Sequence, residues 1–99
     1  MKFGLTSQEL QILSDLVVTP LQNAKCKVWM FGSRVRGTHH KFSDIDLLFE
    51  KAQNLPAGLV SKIKTDIENS RLSYKVDLVD IEDLAKSYLD NVFNERIIL

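Results

Sequence analysis

Apolar residues recur along this chain with two different periods. Leu10, Leu13, Val17 and Leu21, flanked by Ile12 and Leu16, fall on one face of a helix. Thr6-Ser7-Gln8-Glu9 ahead of them has the form of a capping box, so a helix is predicted from about Ser7 to Val18, extending towards Asn23 if Pro20 is accommodated. Lys25–Phe31 reads as a strand, and its unbroken run Val28-Trp29-Met30-Phe31 implies cover on both faces. From Asp44 to Glu50 the period is two: Asp44, Asp46 and Leu48 share one face, while Ile45, Leu47 and Phe49 face a core. Asn54, Pro56 and Gly58 break the chain before Leu59, Val60, Ile63 and Ile67 mark a second amphipathic helix, about Gly58 to Ser70. A third strand is predicted at Ser73–Val79, with Tyr74, Val76 and Leu78 opposite Lys75, Asp77 and Val79. Asp80 then reads as the N-cap of a last helix, roughly Glu82 to Arg96, whose apolar face carries Leu84, Tyr88, Val92 and Phe93. The apolar tail Ile97-Ile98-Leu99 must fold back on the core or meet a partner. The order helix, strand, turn-helix, strand, helix, strand, helix predicts an α/β (α+β) fold: a small sheet of three or more strands with helices packed mainly on one face.

Composition narrows the class. Ninety-nine residues suit one domain spanning 1–99, and 44% hydrophobic with 26% charged residues is ordinary for a globular protein. The formal net charge of zero argues against a chain that coats nucleic acid. Cys26 is the only cysteine and sits in an apolar stretch, which marks a core residue rather than a nucleophile. No stretch approaches the ~18 consecutive apolar residues of a membrane span, and no basic segment leads into an apolar one at the start, so the expected location is cytoplasmic.

The candidate chemistry lies in Phe31–Glu50, FGSRVRGTHHKFSDIDLLFE. Two carboxylates on the same face of one strand, Asp44 and Asp46, repel each other unless a cation lies between them, and hard divalent cations such as Mg²⁺ take carboxylate oxygens. Just upstream, Gly32, Ser33 and Gly37 form a small turn able to offer backbone N–H groups and the Ser33 hydroxyl to a phosphate. Arg34 and Arg36 flank it, and either guanidinium suits phosphate oxygens, with Arg36 favoured because it leads into the second glycine. A Gly-Ser turn alone, or an Asp-Ile-Asp strand alone, is an ordinary structural feature. Their combination at this spacing is what implies a nucleotide–metal site. The Gly-Lys-Ser/Thr ending of a Walker loop is absent, which disfavours simple ATP hydrolysis. His39 and His40 lack the further ligands of a zinc set and read as loop residues beside the acceptor.

The arrangement Gly32-Ser33-Arg34-x-x-Gly37, a short loop, then Ser43-Asp44-Ile45-Asp46-Leu47 resembles the signature of the DNA polymerase beta-like nucleotidyltransferases, and in its short form the minimal nucleotidyltransferases. The resemblance implies the nucleotidyltransferase fold and transfer of a nucleoside monophosphate, with two Mg²⁺ ions and ATP as the leading donor. It implies metal ligation by Asp44 and Asp46 and a third carboxylate from a neighbouring strand, which Asp77 matches, with Asp80 as competitor. It implies nucleotide binding by Gly32, Ser33, Arg34, Arg36 and Gly37. Minimal nucleotidyltransferases also resemble antitoxins that act beside a HEPN-domain toxin, some by placing AMP on a toxin tyrosine. A HEPN-type partner, in a homo- or hetero-oligomer, is therefore expected. The alternatives are a non-catalytic antitoxin that neutralises its partner by contact, and adenylylation of a small molecule.

Overall fold

The computed structural model describes residues 2–99. The first helical segment, α1 (Ser7–Leu13), starts at the predicted capping box: Thr6 Oγ1 accepts from the Glu9 N–H at 3.1 Å, and Glu9 Oε1 accepts from the Thr6 N–H at 2.8 Å. Leu5, fully buried, and Leu10 lie one before the cap and four after it, the spacing of a hydrophobic staple, and both join the main core. The chain stays helical through Pro20 by widening one turn. Ser14–Val18 is π-helical, with the Thr19 N–H reaching back to Ser14 O, and α2 (Thr19–Asn23) follows. A proline has no N–H to donate and its ring crowds the carbonyl four residues back; a looser turn there accommodates both.

Four strands follow: β1 (Cys26–Phe31), β2 (Ile45–Lys51), β3 (Val76–Asp80) and β4 (Ile97–Ile98), in the order β3-β2-β1-β4. β1 pairs antiparallel with β2 and β4, and β2 pairs parallel with β3, so the sheet is mixed. Between them lie α3 (Ser33–Arg36), α4 (Leu59–Glu68) and α5 (Lys86–Glu95). One sheet face, with Val28, Met30, Ile45, Leu47 and Phe49, meets Leu13, Val17 and Leu21 of the first helices and Ile63 and Ile67 of α4. The other face carries a smaller cluster, in which Trp29 and the fully buried Leu48 meet Val92 of α5. The helices thus lie mainly on one face, and α5, with Ile81 and Leu84 ahead of it, covers part of the face that bears Asp46. Cys26 is buried in the main core, and burial first, then the charge of Asp80, raises its thiol pKa.

Two boundaries differ from expectation, and the tail takes one of its two expected courses. The third strand starts at Val76 rather than Ser73, because its partner β2 begins at Ile45, which pairs with Val76. Residues 73–75 have no ladder beside them beyond the bond from the Ile45 N–H to Lys75 O. Asp80 does cap a helix, but a 3₁₀ turn, Ile81–Asp83, accepting from the Glu82 N–H at 2.9 Å; Leu84 and Ala85 are extended, and α5 starts only at Lys86. The tail folds back: Ile97 and Ile98 pair with Met30 and Trp29 as a short edge strand, although Ile98 keeps 60% of its surface exposed.

Candidate active site

β1 ends at Gly32, whose backbone (φ 84°, ψ −160°) is open to glycine and strained for any L side chain. A Cβ there would strike the carboxylate of Asp46. The turn continues into α3, where the N–H groups of Val35 and Arg36 return to Gly32 O, and Gly37 closes it in the left-handed conformation. The antiparallel register pairs Phe31 with Asp46, so β1 delivers this turn directly to the Asp46 side chain.

The parallel register pairs Asp46 with Asp77 and Leu48 with Val79. Paired residues in neighbouring strands share a face, so Asp77 stands beside Asp46. Asp44 precedes Asp46 by two residues, just outside the strand. The consequence is visible in the Asp46 carboxyl, whose pKa is raised to about 6. Desolvation by burial is the largest cause, followed by the charges of Asp77 and Asp44; Arg36 opposes the shift and Glu95 adds to it. Asp80 lies on the opposite face, in register with Phe49, and is tied up by Lys51 at 3.1 Å and by its cap. Of the two candidates for a third carboxylate, only Asp77 therefore shares a face with Asp46.

Gly32, Ser33, Arg36 and Asp46 line one cleft of about 400 Å³, whose opposite wall is α5 through Tyr88, Asn91, Val92 and Glu95. Tyr88, on the predicted apolar face of the last helix, is 62% exposed. The available signal was the spacing of Tyr88, Asn91, Val92 and Glu95, which is that of one helix face. It was uninformative without knowing that α5 lies over the site.

Arg34 and Gly37 are placed away from this cleft. Arg34 is only 3% exposed. Its Nη1 donates to Phe3 O at 2.9 Å, its Nη2 and Nε donate to Ser43 O at 2.9 and 3.2 Å, and its guanidinium stacks 4.5 Å from the Tyr74 ring. Those donors are committed to backbone carbonyls, so Arg34 fastens the amino-terminal turn and the 38–43 loop to α3, and Arg36 is the arginine available to a ligand. Replacing Arg34 with Ala leaves both carbonyls without these partners, and should cost about 2–3 kcal/mol of stability. Chemical denaturation checks this; an unchanged midpoint with weakened nucleotide binding would return Arg34 to the binding role. His39 and His40 line a separate hollow with Gly4, Glu9, Arg34 and Tyr74.

No three His, Cys, Asp or Glu side chains among the described residues converge in a ligating arrangement. Asp46 and Asp77 share a face with Asp44 two residues before Asp46, but the three do not converge on a point, as expected of like charges that repel. In chemistry they still fit a hard cation: they are oxygen donors only, and burial first, then the neighbouring carboxylates, make Asp46 bind a proton unusually well.

The site thus sets a glycine-serine turn, delivered by one strand, against carboxylates on two paired strands. The family description "Polymerase beta, Nucleotidyltransferase" matches residues 20–99. The chain is 33% identical over 98 residues to the Haemophilus influenzae protein named "Probable protein adenylyltransferase MntA", covering 99% of this chain and 84% of that one. Among solved structures, one described as a "putative minimal nucleotidyltransferase" superposes with TM-score 0.66 at 27% identity, over 94% of this chain and 90% of that one. The toxin–antitoxin MntA-HpeT, as a Y104A mutant, matches with TM-score 0.63 at 25% identity, over 96% and 72%. This chain belongs to the polymerase beta nucleotidyltransferase family, and it is a nucleotidyltransferase.

Proposed function

We propose that this protein moves AMP from ATP to a hydroxyl on a partner protein, a HEPN-type toxin, and so acts as its antitoxin. The observation that carries this reading is the pairing of Asp46 with Asp77 on one sheet face, against the Gly32-Ser33 turn. The 33% identical relative is named as a protein adenylyltransferase, and MntA-HpeT is a toxin–antitoxin pair. The same reading places the reaction in the cytoplasm. No helix among the described residues is long and apolar enough to cross a membrane.

In the proposed reaction the acceptor oxygen bonds to the α-phosphorus of ATP, the bond from that phosphorus to the bridging oxygen breaks, and pyrophosphate leaves. Asp77, on the outer strand β3, accepts the acceptor's proton. Gly32 and Ser33 hold the departing phosphates, with Arg36 beside them. Asp44, Asp46 and Asp77 would hold two Mg²⁺ ions, which supply charge neutralisation and activate the attacking oxygen when bound.

The runner-up, neutralisation by contact alone, draws on the exposed apolar side chains Tyr88, Phe93, Ile97 and Ile98 on α5 and β4. Incubation of purified toxin with α-labelled ATP, using wild type and Asp44→Asn, separates the readings. The proposal expects label on the toxin with wild type and at least a hundredfold less with the variant, in line with the ~10²–10³ typical of removing a key electrostatic group. Equal neutralisation by both with no label would leave contact alone, and label on a low-mass compound would point to small-molecule adenylylation.

A further inference from the structure

Resting on the nucleotide reading above, we infer that Glu95 is a positioning residue that aims Arg36 at the phosphates released in the reaction. Both Glu95 carboxylate oxygens accept from Arg36 Nη1, at 3.1 and 2.8 Å. Both residues line the cleft that also contains Gly32, Ser33 and Asp46. A guanidinium has five N–H donors. In this contact only Nη1 is engaged, and Nη2 and Nε have no hydrogen-bond partner among the described residues. Arg36 is therefore anchored at one corner with its remaining donors free, as a group prepared for phosphate oxygens should be.

The anchor stands in packed surroundings. Glu95 sits in the last turn of α5, one residue before Arg96, whose guanidinium lies 4.3 Å from the Trp29 ring and 4.1 Å from the Phe93 ring. Val92, three residues earlier, is buried against Trp29 and Leu48. The Glu95 side chain is 18% exposed, against 52% for Arg36. The more buried partner thus restrains the more exposed one, removing rotamer freedom that a ligand would otherwise have to remove. The contact also ties α3 to α5, so the two walls of the cleft are held together through the proposed phosphate arm.

Charge and positioning predict opposite signs. Glu95 is an anion in a cleft meant for anions, so by Coulomb's law alone its removal would tighten phosphate binding. If it positions Arg36, removal weakens binding. The test is calorimetric titration of the full chain with AMP-PNP, pyrophosphate and AMP, each with magnesium, for wild type, Glu95→Gln, Glu95→Ala, Arg36→Ala and the double Ala variant. We expect Glu95→Ala to weaken AMP-PNP and pyrophosphate by about tenfold, the scale of one charge-assisted hydrogen bond, with AMP unchanged. Glu95→Gln, which keeps a neutral acceptor, should fall between. In the Arg36→Ala background the Glu95 change should have no further effect. Tighter AMP-PNP binding, equal loss for AMP, or additive losses in the double variant would each overturn the assignment while leaving nucleotide binding intact. If wild type binds none of the three, the nucleotide reading itself fails, and this assignment with it.

Discussion

Asp46→Asn should lower transfer by about 10²–10³-fold and yet make the protein more stable. Asp46 is squeezed between burial and the charges of Asp77 and Asp44, which lift its pKa from 3.8 to about 6. Because the folded state holds this proton more tightly than the unfolded chain, its contribution is most favourable below about pH 4. It is lost as pH rises from there to about 6, and above that the charged carboxylate destabilises the fold. The group is only half-buried, so after solvent screening the penalty at neutral pH is about 1 kcal/mol. Asparagine keeps the shape and removes the charge. Urea midpoints measured between pH 4 and 8 should therefore fall with pH less steeply for Asp46→Asn than for wild type, with the curves parting across the pH 4–6 interval. Parallel curves would mean that Asp46 does not carry this strain, and an undiminished transfer rate would remove it from the chemistry. The proton that burial favours is also the competitor of any cation, so metal-dependent nucleotide binding should weaken below about pH 6.

The second large effect is expected at Gly32. Its backbone conformation lies where only glycine is at ease, and an added methyl would press on the Asp46 side chain, with Asp46 Cγ at 3.1 Å and Cβ at 3.3 Å. Gly32→Ala combines about 1–3 kcal/mol of backbone strain with displacement of Asp46. For a domain of this size each kcal/mol is roughly 4–8 °C in Tm, so a fall of about 4–24 °C with near-complete loss of transfer is expected. Gly58, at the start of α4, also has a positive φ of 79°, but a Cβ there meets nothing within 4 Å. Gly58→Ala should lose only the left-handed backbone cost, about 1–2 kcal/mol, and retain its transfer rate. If the two substitutions behave alike in scanning calorimetry and in the transfer assay, the close approach of Gly32 to Asp46 has no functional weight.

These two expectations share a cause in the register of the sheet. The alternation in Asp44–Phe49 already separated the acidic face from the apolar one, and that in the third strand already set Asp77 opposite Tyr74, Val76 and Leu78. Neither showed that β2 and β3 run parallel with Asp46 opposite Asp77, because a strand's side-chain pattern is the same whichever neighbour it takes. The same limit applies to Tyr88 and Glu95. They stand on a helix whose amphipathic pattern announces a buried stripe around Val92, but which sheet face that stripe covers is a property of the packed molecule.

Taken by itself, the sequence determined the local elements: the capping box at Thr6, the two-residue alternation of β2, the glycine-serine turn, and an apolar tail that had to be covered. Each depends on neighbours a few residues apart, where backbone geometry and side-chain period act directly. The separate fates of Arg34 and Arg36 were left to the tertiary structure. Two residues apart in the same motif, they have the same chemistry. One is buried because Phe3 and Ser43 present carbonyls to it, and the other reaches into the cleft because Glu95 stands across from it. Those partners come from 31, 9 and 59 residues away, distances at which sequence spacing carries no geometry.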